Sequence, residues 1–317
     1  MYKKGMQLTS FFKLNQYCLE QGLFWLQGPG GNTSIKDFAN QTLSIKPSGY
    51  RLEKVKAEAD LSQVKLDQFL NHFSQVKTAV SEDEKEKIYK DLIGQCNLTA
   101  ERRPSMETGF HAVMKNTYVF HIHSLTAILI GDMNAKENAK FKSWYNQHWQ
   151  EKLGAFAEIE ATMPGAQLAV ILEKCSDIPV VFLKNHGAIL QFKNENFLQT
   201  YQRFELAVLK EFFPKAILFR SLQTFPKDLL TGPLKFYFPD FVILYPRIKP
   251  FLKKVDADTY ELSAEAQTKD LDVYENWMAT QILYHMKPNL KELPMEIIEK
   301  VPYLPTELVR KKIMETP

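Results

Sequence analysis

Residues 117–123 read Thr-Tyr-Val-Phe-His-Ile-His, and no other stretch restricts the fold of this chain as tightly. The alternation describes a β-strand, in which side chains two positions apart leave the same face. Tyr118, Phe120 and Ile122 then form an apolar face suited to a core, and His121 and His123 leave the opposite face together. Two imidazoles on one rigid surface make a natural half of a zinc site, because Zn²⁺ takes imidazole nitrogen at about 2.0–2.1 Å. The pattern equally suits two histidines that only pack or meet solvent, and by itself it does not choose.

Three other stretches carry candidate chemistry. His186 lies in Lys184-Asn185-His186-Gly187, where an apolar strand over Ile178–Lys184 breaks before resuming at Ala188–Phe192. A break at glycine can aim a side chain into a cleft, although Asn and Gly are also the residues of a plain β-turn. Glu107 falls in the first turn of a helix that Ser105 can cap after Pro104, running through Met106–Met114. There it either compensates the helix dipole or faces a metal as ligand or proton acceptor. His111, four residues on, shares its helix face and reads as support for Glu107 or as a surface histidine. Residues 28–34, Gly-Pro-Gly-Gly-Asn-Thr-Ser, read as a glycine-rich loop whose backbone N–H groups can cradle a phosphate or carboxylate. No Gly-Lys-Ser/Thr follows, which excludes a Walker A loop, and Thr33 occupies the last glycine position of the dinucleotide fingerprint. Ser48-Gly49 follows a strand at 41–46 and offers a second such turn.

Elsewhere the spacing predicts a short amphipathic helix over 9–22, a strand near 62–66 and helices around 137–152, 164–175 and 195–213. Residues 70–100 are polar and read as solvated connecting helix. Prolines at 226, 233, 239, 246 and 250 mark an irregular connection, and 270–315 reads as amphipathic helix interrupted by proline. Strands and helices without regular βαβ alternation imply an α/β fold with a largely antiparallel sheet. A chain of 317 residues suggests about two domains. With 45% hydrophobic residues it can build a core, which excludes disorder. The 40 basic and 37 acidic residues leave a charge of +3 with no dense Lys/Arg cluster, which argues against nucleic-acid or acidic-membrane partners. Cys18, Cys96 and Cys175 are scattered, as in a reducing compartment. With no signal-peptide core and no apolar run long enough to span a bilayer, the expected location is the cytoplasm.

Taken in order, Gly-Gly-Asn-Thr-Ser at 30–34, Lys-Pro-Ser-Gly at 46–49, Pro-Ser-x-Glu-x-x-x-His at 104–111, His-x-His at 121–123 and Asn-His-Gly at 185–187 resemble the class II aldolase/adducin family over about residues 8–215. The resemblance implies a three-layer α/β/α fold with a central, mainly antiparallel sheet, commonly assembled as a tetramer. The catalytic domain would be 1–250 and a helical C-terminal extension 251–317. The resemblance further implies that His121, His123 and His186 hold zinc and that Glu107 is the acid/base residue. Asn32, Ser48, Gly49 and Ser105 match phosphate-binding positions, with Gly31 shaping the loop. The implied activity is a zinc-dependent lyase that cleaves or forms a C–C bond in a ketose 1-phosphate, or a similar hydroxy-ketone, through an enediolate. Dehydratases and epimerases of sugar phosphates share the family, as do adducin-type scaffolds, which lack the metal histidines that this chain retains. The nine residues between His111 and His121, and the segment Phe238-Pro239-Asp240, resemble the aldolase half of bacterial fusions with a short-chain dehydrogenase. The tail has no match to the tyrosine that serves the aldolases as second acid/base.

Overall fold

The computed structural model describes residues 2–220, 227–304 and 308. The chain opens with α1 (Tyr2–Glu20) and lays down β1 (Asn32–Asp37), β2 (Thr42–Ile45) and β3 (Ser62–Lys65). Helices α2 (Leu66–Thr78), α3 (Glu82–Cys96) and α4 (Thr108–Val113) lead to the histidine strand β4 (Tyr118–Ile122). There follow α5 (Leu125–Gly131), α6 (Ala135–His148), α7 (Gln150–Leu153), β5 (Phe156–Ile159) and α8 (Ala166–Glu173). A hairpin of β6 (Val180–Leu183) and β7 (Gly187–Phe192) precedes α9 (Phe197–Phe212) and α10 (Ile217–Arg220). The later part comprises β8 (Thr231–Pro233), α11 (Pro239–Ile248), β9 (Leu252–Lys254), β10 (Thr259–Leu262), α12 (Ala266–Lys269), α13 (Leu271–Met286) and α14 (Met295–Lys300).

Seven strands form one sheet in the order β3-β2-β1-β4-β7-β6-β5, antiparallel throughout except where β5 joins β6. The alternation of β4 sorts its side chains between two cores. Tyr118, Phe120 and Ile122 join Phe182 and Leu190 beneath helices α1, α5, α9 and α13. Val119, on the other face, joins Val181 and Ile189 against α2, α3, α4 and α8. Helices therefore cover both faces, giving the expected three-layer α/β/α fold with a mainly antiparallel centre. Each fully buried large apolar side chain contributes about 1.5–3 kcal/mol, so this double burial anchors the histidine strand firmly.

Several local expectations are corrected. The first helix begins at Tyr2 rather than residue 9. Asn32, Thr33 and Ser34 belong to β1, so the glycine loop ends at residue 31. The polar stretch 70–100 hides a working core face: Phe69, Phe73 and Val76 of α2 and Tyr89, Leu92, Ile93 and Cys96 of α3 are buried. The helix after Pro104 starts two residues later than its sequence suggests, with Glu107 at its N-cap, while the Ser105 hydroxyl accepts from the Glu107 N–H at 3.2 Å. The proline-marked connection contains α11, because Pro239 sits at the first helical turn, where a missing N–H costs nothing. Helix α13 is buried nearly all round, from Val273 and Trp277 to Gln281 and Leu283, rather than along one stripe. The extension also carries the short strands β9 and β10, which complete a second sheet in the order β8-β10-β9. Beyond residue 304 the expected helical tail lies outside the described residues, Leu308 excepted.

Candidate active site

The ladder of the large sheet sets the first relations. Asn32 stands opposite His121 between β1 and β4, and Ile189 stands opposite it between β4 and β7. The β6–β7 turn closes through Asn185 at φ +57° and Gly187 at φ +138°. A Cβ on residue 187 would lie 2.2 Å from the Ile122 carbonyl oxygen and 2.8 Å from the His123 Cα, so only glycine lets this turn rest on the end of β4. His186 is thereby delivered to the strand histidines. Its ring centroid is 4.8 Å from that of His121 and 5.1 Å from that of His123, which are themselves 4.9 Å apart.

Glu107 joins them from the start of α4. Its Oε1 lies 2.9 Å from His121 Nδ1, and its Oε2 lies 3.8 Å from His111 Nε2. One donor atom each from Glu107, His121, His123 and His186 falls within 4.8 Å of the others. His111 stands behind this quartet, with Nδ1 2.7 Å from the Ser34 hydroxyl. Burial pushes the Glu107 carboxyl up, but the His121 charge and contacts with His111 and His121 outweigh it and hold the group well below the usual range. Burial lowers His111 to about 4 against the pull of Glu107. His186 is held well below its ordinary value by burial, then by His121 and His123. At neutral pH the site thus presents an ionised Glu107 carboxylate and neutral His111 and His186 imidazoles. Among the buried polar atoms without a hydrogen-bond partner are His121 Nε2, Glu107 Oε2 and His111 Nε2. An unsatisfied buried polar atom costs about 1–3 kcal/mol, and a divalent cation among three imidazoles and a carboxylate would satisfy the first two. The donor set fits such an ion, with nitrogen and oxygen ligands of the kind zinc takes.

Beside the quartet opens a small polar cleft, lined by residues 29–32, 46–49 and 105–107 together with His123 and Asp240. Gly31, Asn32, Ser48, Gly49 and Ser105 all stand on its wall, so the structure brings together every residue singled out from the sequence. The Gly31 N–H donates to His123 Nε2 at 3.1 Å. Asn32 Oδ1 is buried without a partner. The turn after β2 is tied to the chain ahead of Ser105 by the Ser48 N–H, which donates to the Arg103 carbonyl, and by a bridge between Pro47 and Pro104. Two wall residues escaped the sequence reading. Lys46 is buried beneath the loop and donates to the Pro29 and Tyr50 carbonyls at 2.9 and 2.6 Å. Its signal was present in Lys-Pro-Ser-Gly. Asp240 approaches His123, Oδ2 to Nδ1 3.4 Å. Its signal was a carboxylate directly after a proline, a common pairing at the start of a helix.

The family model of the class II aldolase and adducin N-terminal domain matches residues 16–205. The chain belongs to this family. Among solved structures it is similar to the N-terminal class II aldolase domain of a conserved protein from Thermoplasma acidophilum, at 22% identity and TM-score 0.47, covering 62% of this chain and 92% of that one. It is also similar to an L-fuculose 1-phosphate aldolase, at 18% identity and TM-score 0.44, covering 69% and 90%. An L-fuculose-1-phosphate aldolase from Thermus thermophilus aligns at 14% identity and TM-score 0.41, covering 69% and 98%. No protein of curated function matches the chain. In this class II aldolase-family chain the matched part ends inside α9, so Asp240 comes from beyond it. No helix among the described residues is long and apolar enough to cross a membrane.

Proposed function

We propose that the protein is a zinc-dependent lyase that cleaves or forms a C–C bond in a ketose 1-phosphate or a similar phosphorylated hydroxy-ketone. The observation that carries this reading is the convergence of three buried imidazoles and one carboxylate beside a polar cleft. His121, His123 and His186 would hold the ion, with the Glu107 carboxylate beside it. When bound, the ion polarises the substrate carbonyl and stabilises the negative charge that develops on its oxygen. Glu107, kept ionised by its neighbours, moves the proton at the carbon beside that carbonyl; a positioned acid/base group is worth about 10²–10⁴-fold. Gly31, Asn32, Ser48, Gly49 and Ser105 would seat the phosphate, and the buried Lys46 ammonium adds positive charge beneath them. Binding energy from that remote anion then supports the chemistry.

In this reading residues 1–250 form the catalytic domain and 251–317 an extension joined to it, within a cytoplasmic homotetramer. Cys18, Cys96 and Cys175 are free thiols, in keeping with that location. The tetramer is tested by light scattering. The activity is tested by elemental analysis and by NMR of products from a panel of sugar phosphates. About one zinc per chain together with C–C cleavage supports the proposal. Bound zinc with dehydration or epimerisation products instead would reassign the reaction while keeping the site.

A further inference from the structure

Each strand histidine meets a carboxylate through Nδ1. His121 Nδ1 is hydrogen-bonded to Glu107 at 2.9 Å, and His123 Nδ1 lies 3.4 Å from Asp240, an ion-pair contact longer than a hydrogen bond. A neutral imidazole carries its proton on one nitrogen and a lone pair on the other, and the partner of one nitrogen decides which is which. In His123 both contacts select the same arrangement. A carboxylate beside Nδ1 favours the proton there, and the Gly31 N–H donates to Nε2, which must then hold the lone pair. The approach is close on the loop side as well. A Cβ on Gly30 would lie 2.6 Å from His123 Nδ1 and 2.7 Å from its Cε1, so the ring is pressed against backbone that has no room for a side chain.

Asp240 is not among the four residues whose donor atoms cluster within 4.8 Å, so it stands just outside the ligand set while touching one of its members. It is buried, and its own position is fixed from both sides. Phe238 and Phe241 are inserted in the main core around it, and Pro239 starts the ten-residue helix α11, which packs against α13. A buried carboxylate is expensive to keep unless it is paired, so a chain that places one beside an imidazole holds it there for the pairing.

We propose that Asp240 is a positioning residue of the metal centre: its carboxylate fixes the Nδ1–H form and the ring orientation of His123, so that the Nε2 lone pair, held by the Gly31 N–H in this structure, is the one a divalent cation would take in its place. The inference rests on the reading of the quartet as a metal site. It also gives the region beyond the family-matched residues a direct part in that site.

The test uses the full-length protein with zinc as the probe. Zinc affinity is measured by competition with a chromophoric chelator for the wild type, Asp240→Asn and Asp240→Glu. The tautomer of His123 is read in the metal-free protein by long-range ¹H–¹⁵N NMR on labelled histidine, and thermal unfolding checks that each variant is folded. The expected results are an Nδ1–H tautomer in the wild type, zinc binding weaker by about 10–100-fold in Asp240→Asn, and partial recovery in Asp240→Glu. Wild-type protein that binds no zinc overturns the metal reading and this proposal with it. Wild-type protein that binds zinc, with folded Asp240→Asn binding equally well or with His123 protonated on Nε2, overturns the role of Asp240 alone. Should Asp240→Asn fail to fold, the wild-type tautomer and Asp240→Glu decide the question.

Discussion

The family-matched part of the chain, residues 16–205, and the part beyond it contribute to the site in different currencies. The matched part supplies all four members of the candidate ligand set and the loops of the cleft wall. The later part supplies grips. Glu275 accepts from the Gly28 N–H at 2.7 Å and pairs with Arg51, which Asp272 also holds. Asp240 meets His123. The Lys291 carbonyl accepts from the Asn185 side chain at 2.8 Å, steadying the turn that carries His186. The glycine loop, the end of β4 and the turn of His186 are thus each held by a polar contact from the second part. The lesson is that groups able to react cluster at strand ends, whereas the contacts that keep them in register can come from chain far outside the recognisable motif.

The sharpest test of the first half of this contrast is removal of a ligand. His121→Ala should lose both stoichiometric zinc and measurable turnover, by elemental analysis and product NMR. Glu107→Gln should retain zinc and lose about 10²–10⁴-fold in proton exchange at the enolisable carbon, followed by deuterium uptake. A His121→Ala protein with full zinc and full activity would return the chemistry to other residues.

The second half predicts that the two parts unfold together. Trp277 of α13 is fully buried in the main core, and its Nε1–H donates to the Leu230 carbonyl at 3.1 Å. Trp277→Ala should destabilise the whole protein by about 3–5 kcal/mol, seen as one shifted transition in urea by circular dichroism. Two separated transitions, with only one displaced, would break the comparison.

A smaller effect belongs to the matched part alone. Glu86 of α3 is buried against the start of α8, where its Oε1 accepts from the Ala166 N–H at 2.7 Å. Burial outweighs that bond and pushes the carboxyl up from 4.5 to about 7. Its contribution to stability is therefore full below pH 4.5 and is lost as pH rises through about 7. Glu86→Gln should flatten that slope and be the more stable protein above pH 7, by on the order of 1–3 kcal/mol. Urea midpoints from pH 4 to 8 check this; a slope unchanged by the substitution refutes it. Smallest of all, Glu275→Gln should loosen the glycine loop at a cost of about 1 kcal/mol. The reading is an approximately fivefold weaker affinity of the cleft for inorganic phosphate, with zinc content unchanged.

Much of this was legible where one physical signal dominated. The alternation at 118–123 placed β4, the break at Gly187 placed the turn of His186, and the stripe from Phe197 to Phe212 gave α9 almost to its ends. Legibility failed where two signals competed. Charged residues mask the buried spacing of Phe69, Phe73 and Val76. Prolines 239 and 246 read as breakers, although the first sits where a helix tolerates it and the second is carried inside α11. That misreading hid the helix that presents Asp240, although Phe238-Pro239-Asp240 had stood out as a segment. In α13 an all-round apolar surface leaves no periodic contrast to detect, and Asn276, Thr280 and Gln281 at buried positions blur it further. Pairings such as Gly28 with Glu275 span 247 positions and leave no local trace at all.

The register of β1 against β4 has a consequence for how such a chain can change. Asn32 and His121 are cross-strand neighbours, and side-chain direction flips with every step along a strand. An insertion of one residue within either strand would turn an imidazole toward the aromatic side of the sheet or slide the glycine loop off its opposite number. Here the count of residues is itself part of the site's blueprint.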